Sequence, residues 1–156
     1  TITDNTGQDG VQTVRNPFRL DFTDISLAFD VEGTAGKAYR LYRAAFNRKP
    51  DSGGLGFWIG TLDGGMTTEA MAQGFVQSPE FAGIYGAAPT HAQVITALYR
   101  NVLHRAPDAG GEAFWLNHLA GGMTVARLLI EFSESAENKV QVAAEIETGI
   151  SFTRKL

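Results

Sequence analysis

Two eleven-residue stretches hold the densest collection of reactive side chains in the chain: RKPDSGGLGFW at 48–58 and RAPDAGGEAFW at 105–115. Each sets an arginine three residues before an aspartate, follows with paired glycines, and ends on a Phe-Trp pair. Arg48 with Asp51, and Arg105 with Asp108, have the types and spacing of a catalytic ion pair. They equally suit a loop staple, in which the guanidinium reaches across a turn to carboxylate or helix-end carbonyls. The duplication favours the staple, because a catalytic constellation rarely needs two copies in one small domain, whereas a packing unit that cannot bury its own apolar face is naturally repeated. Trp58 and Trp115 have the flat surface and polar edge of sugar-stacking platforms, but beside Phe and Leu at helical spacing they also read as core.

Other chemistry finds fewer residues. His91, His104 and His118 are the only imidazoles, none recurs between the copies, and the chain has no cysteine to complete a zinc site or a disulfide framework. Glu131, Glu134 and Glu137 fall on one side of a helix and read most simply as a solvated face. There is no GxSxG elbow, phosphate-binding glycine loop or HExxH helix. No catalytic residues are assigned, and no enzymatic activity is expected. Calcium is the one metal with candidate ligands: Asp4 and Asp9 among the glycines of TDNTGQDGV, and Asp30 with Glu32 in DVEG, each an incomplete set that also suits turns and caps. No other cofactor is expected.

These residues must be positioned by elements that recur at an offset of 57. LYR at 41–43 returns at 98–100, GGMT at 64–67 returns at 121–124, and Phe75, Ser78 and Glu80 return as Phe132, Ser135 and Glu137. Aligning 41–80 with 98–137 gives 18 identities in 40 positions without a gap. Ala38, Leu41, Tyr42, Ala45 and Phe46 follow helical spacing, as do Ile95, Leu98, Tyr99, Val102 and Leu103, so an amphipathic helix opens each copy. Pro50 and Pro107 lack the N–H a continuing helix needs, which stops those helices near Asn47 and His104. Asp51 and Asp108 then stand as N-caps of a second helix, Thr67 and Thr124 of a third, and Ser78 and Ser135 of a fourth. The predicted fold is mainly α: two tandem four-helix repeats, about 35–86 and 92–147, packed as one helical domain over 34–156. Residues 1–33 read as a β-rich N-terminal arm of two or three short strands, the end of a larger β module. Its Phe18, Leu20, Phe22, Leu27 and Phe29 are expected to pack on the helical body.

Composition limits the partners. A net charge of −4 with 13 scattered Lys and Arg gives no electrostatic footprint for nucleic acid. No apolar run approaches the ~20 residues of a membrane span, and no charged segment followed by an apolar core marks a Sec-type signal.

The pattern LYR, RxPDxGG, FW, LxGGMT, FxxSxE resembles the bacterial domain of unknown function 4214 over roughly 35–147, and the lead-in LAFDVEGTAGKAYRLYRAAFNR resembles what commonly precedes that domain. The resemblance implies a module of a large secreted or cell-surface protein, often beside calcium-binding repeats of the repeats-in-toxin type exported by type I secretion, and implies no catalytic activity. A looser likeness to phycobilisome linker domains points to an assembly role. The expected function is therefore a non-enzymatic interaction or spacer module whose partner is another surface or secreted protein. Alternatives are a carbohydrate-binding module that takes an extracellular glycan, and a calcium-stabilised adhesion or surface-layer module.

Overall fold

The computed structural model describes residues 2–3, 11–12 and 18–154, with side chains from 18 onward. Two short strands, β1 (Ile2–Thr3) and β2 (Val11–Gln12), pair antiparallel. A second, three-stranded antiparallel sheet has the order β3 (Arg19–Asp21), β4 (Ser26–Ala28), β5 (Ile150–Phe152). Eight helices lie between β4 and β5 among the described residues. The first four are α1 (Thr34–Phe46), α2 (Ser52–Asp63), α3 (Thr68–Val76) and α4 (Pro79–Tyr85). Then come α5 (His91–Val102), α6 (Ala109–Ala120), α7 (Val125–Ser133) and α8 (Ala136–Ile146). The fold is mainly helical with a short β arm.

Local chemistry sets the helix boundaries. Asn47 (φ 48°) turns left-handed to close α1, and His104 (φ 54°) turns the same way one residue past the C-cap of α5. Thr67, Thr124, Ser78 and Ser135 each accept a backbone N–H three residues on, at 3.1, 3.1, 3.1 and 3.2 Å. Thr90 and Gln93 form a reciprocal capping box at the start of α5. Helices α2 and α6, and α3 and α7, are related by the sequence offset residue for residue.

The two repeats share one core. α3 packs on α7, and α1 packs on α2, α3 and α7. Ala35, Gly36, Ala38, Ala44 and Ala45 are all buried in α1, and these small residues let the neighbouring helices approach it from several sides. The copies are not equally covered. α2 buries Leu55, Gly56 and Ile59, whereas α6 buries only Leu119, because β5 lies against α2.

Two expectations need correction. The stretch 34–156 does not stay helical to its end: Gly149 (φ 119°) turns the chain out of α8 into β5, which joins the N-terminal strands. Strands β3 and β4 of the arm pack on the body, but not through the apolar residues expected to do it. The register pairs Leu20 with Leu27 and Leu27 with Ser151, so the face that packs inward carries Ser26, Ala28, Ile150 and Phe152, all buried. Phe18, Phe22 and Phe29 project from the other face and are exposed, Phe18 at 74%, with Leu20 and Leu27 half-buried between them. Period-2 alternation sends all five to one side.

Candidate functional site

The two arginine motifs are built alike. Asp51 accepts the Gly54 N–H at 2.7 Å and Asp108 the Gly111 N–H at 2.8 Å, capping α2 and α6. The arginines rely little on the carboxylates of their own turns, which lie 4.0 and 3.9 Å away. Arg48 instead forks onto Glu80 at 2.7 and 3.2 Å and donates to the Tyr42 hydroxyl at 2.6 Å, with its guanidinium carbon 5.0 Å from the centre of that ring. Arg105 forks onto Glu137 at 2.8 and 3.0 Å, 4.9 Å from the ring centre of Tyr99. The arginine thus ties the turn after the first helix of its repeat to the start of the fourth, across 32 residues. The equal spacing of Arg and Glu in both copies carried this signal. Arg48 and Glu80 are both more than 40% exposed, so their pair contributes only about 0.2–1 kcal/mol.

The electrostatics predict an acid limb of stability. Backbone N–H groups lower the Asp51 and Asp108 carboxyls below their ordinary value, and the hydrogen bond from Arg105 lowers Glu137. A carboxylate lowered by folding stabilises fully above its unfolded pKa, about 4, and loses that contribution as pH falls through the folded value. Thermal melting should therefore be unaffected by these groups near neutrality and should fall below about pH 4. Glu137→Gln should flatten that fall in melts run from pH 7 to 3, and an unchanged slope would count against the assignment. Asp51→Ala should cost about 0.5–2 kcal/mol by losing the cap, with Asp51→Asn retaining most of it.

Trp58 and Trp115 are half-buried against the core, with ring centres 4.9 Å from that of Phe75, edge to face, and 5.4 Å from that of Phe132, tilted. The more exposed member of each aromatic pair is Phe57 or Phe114, at 48% and 52%. Among the candidate calcium ligands, Asp4 and Asp9 lie outside the described residues. Asp30 is almost fully buried. Its carboxylate accepts the Ala35 N–H at 3.0 Å and pairs with Arg19, so it supplies the cap that Gly33 cannot. Glu32 pairs with Lys139 at 2.6 Å, which lowers its pKa. Among the described residues no group of three His, Cys, Asp or Glu is placed to hold a metal ion.

The three glutamates read as a solvated face are each ion-paired. Glu131 pairs with Arg127 and Glu137 with Arg105. Glu134 receives the Arg40 guanidinium at 2.7 and 2.8 Å, and Arg40 is only 1% exposed. Arg40 also donates to the Val31 carbonyl at 2.5 Å. Beside it, Glu145 of α8 accepts the Tyr39 hydroxyl at 2.7 Å and pairs with Arg43. Burial is the larger cause that pushes the Tyr39 hydroxyl up, and the Glu145 hydrogen bond adds to it.

An open groove lies between α2 and the inner side of the sheet. A cavity of about 300 Å³ is bordered by Arg19, Asp21, Gly60, Asp63, Gly64 and Arg154. A second of about 280 Å³ shares Arg19 and Asp63 with it and reaches Phe18 and Thr34. Arg19 meets Asp63 at 3.4 Å and Arg154 meets Asp21 at 2.7 Å. Gly60 stands inside α2, where glycine costs about 0.5–1 kcal/mol relative to alanine, and a Cβ there would touch nothing within 4 Å. No packing contact requires that glycine.

Capped helix pairs closed by arginine forks, repeated and fused into one core, define a helical tandem-repeat domain. The model of the domain of unknown function DUF4214 matches residues 38–84 and 72–142, and the chain belongs to that family. No curated protein and no solved structure matches the chain significantly.

Proposed function

We propose that this chain is a non-enzymatic interaction module of a secreted or cell-surface bacterial protein. The observation that carries the reading is the outer face of the three-stranded sheet. Phe18, Phe22, Ile25 and Phe29 are exposed there together, with Leu20 and Leu27 half-buried between them. Contiguous apolar surface of this kind is costly in water and marks an interaction site. The ionisable residues with catalytic spacing act instead as caps and inter-helix ties, which suits a scaffold that holds this face rigid. The family resemblance supports placement outside the cell.

A photo-crosslinking amino acid at Leu27, in the natural protein made by its own host, should give a defined adduct, within the polypeptide or to another. The same probe at exposed Gln73 of α3 should not. Equal labelling at the two positions would sink the interaction reading, and co-fractionation of the protein with cytoplasmic markers would sink the surface location.

A further inference from the structure

The geometry points to the groove between α2 and the sheet as a binding site for a neutral, hydroxyl-rich ligand, a sugar unit of an uncharged glycan. It shares Phe18 with the outer sheet face and is otherwise built from different residues.

The cavities on either side of the Arg19–Asp63 pair are, at about 300 and 280 Å³, each of a size that takes a small ligand. Their polar border sets the ligand's charge. Two guanidiniums, Arg19 and Arg154, face three carboxylates, Asp21, Asp30 and Asp63, and both arginines are already ion-paired. Among the described residues an anion finds no unpaired cation there, and a metal ion meets the two guanidiniums. A hydroxyl both donates and accepts, so a row of hydroxyls can bridge a guanidinium and its carboxylate without disturbing the charge balance. Apolar residues border both cavities: Ile59 and Phe152, almost fully buried, lie under the floor of the first, and Phe18, 74% exposed, stands at the edge of the second, where a C–H face of a sugar can meet it.

Gly60 supplies the independent observation. It weakens the middle of α2, and no neighbour would be displaced by a side chain there. What it does is leave the border of the cavity bare. The offset-related residue of α6 is Asn117, on a helix that, among the described residues, is not packed on a strand as α2 is on β5.

The test is a glycan array carrying neutral and acidic oligosaccharides, probed with the 156-residue chain, followed by calorimetric titration of the strongest neutral hit. Wild type should bind neutral glycans in preference to acidic ones. Gly60→Leu should weaken Kd at least tenfold while its melting temperature stays level or rises, a combination that a structural role for the position does not produce. Asp63→Ala should weaken Kd at least tenfold as well, and decides alone if Gly60→Leu fails to fold. Trp115→Ala should leave Kd unchanged. Absence of any neutral hit, binding confined to acidic glycans, or wild-type affinity in a folded groove variant would each overturn the proposal.

Discussion

Arg40→Ala should cost about 3 kcal/mol of stability, the lower end of the range of about 3–5 kcal/mol for breaking a buried ion pair by removing one partner. The lower end applies because Glu134 is 22% exposed and Lys139 stands 3.6 Å away to compensate it partly. The truncation leaves a carboxylate facing a cavity, and it strips the Val31 carbonyl of its guanidinium donor. A loss of that size is a large share of the 5–15 kcal/mol typical of a whole domain. The pair joins α1 of the first repeat to the end of α7 in the second, so the variant should loosen the repeats from each other. Replacing both partners with apolar residues, Arg40→Met with Glu134→Leu, should recover part of the loss, because no buried charge is then left unpaired. Urea denaturation of the three proteins measures this. If Arg40→Ala unfolds within about 1 kcal/mol of wild type, the Arg40–Glu134 pair is not what ties the repeats together.

What could be read from the sequence follows from how local each cause is. The repeat fixes which helices correspond, and proline, cap residues and glycine pairs act within four residues, so α1 to α8 and the caps at Asp51 and Asp108 were legible. The partner of Arg48 was visible in principle, since Glu80 recurs with it, but a contact across 32 residues competes with the nearer aspartate until the chain is folded. Arg40 and Glu134 gave no such signal: the offset-related residues are Ala97 and Gln77, so the pair exists once, between the copies, where comparing one repeat with the other cannot find it. The alternation from Phe18 to Phe29 sorts the arm into two faces without saying which is covered. That was decided by Ile150 and Phe152, more than a hundred residues away. The groove is still less legible, because its sign in the sequence is a glycine with nothing beside it.

Gly56→Ala should pry the C-terminal strand off the helical body. A Cβ at Gly56 would run into the carbonyl of Thr153 and against the Phe152 ring, at the point where Thr153 donates its N–H to the Ser52 carbonyl at 3.0 Å. The obstacle is backbone, which cannot rotate away as a side chain would. Overpacking of this sort costs about 1–3 kcal/mol, set against a gain of up to about 1 kcal/mol from replacing glycine with alanine in a helix. The strain should prevail and fall on β5, so amide exchange at Ile150–Phe152 should accelerate more than exchange in α1 or α7. The second repeat provides the control. Position 113, offset-related to 56, is already alanine and exposed, and Glu112 stands where the first repeat has buried Leu55. Ala113→Gly should therefore cost only about 0.5–1 kcal/mol through helix propensity and leave β5 exchange untouched. If Gly56→Ala proves as stable as wild type with β5 still protected, the close approach of strand to α2 is not what sets the two repeats apart.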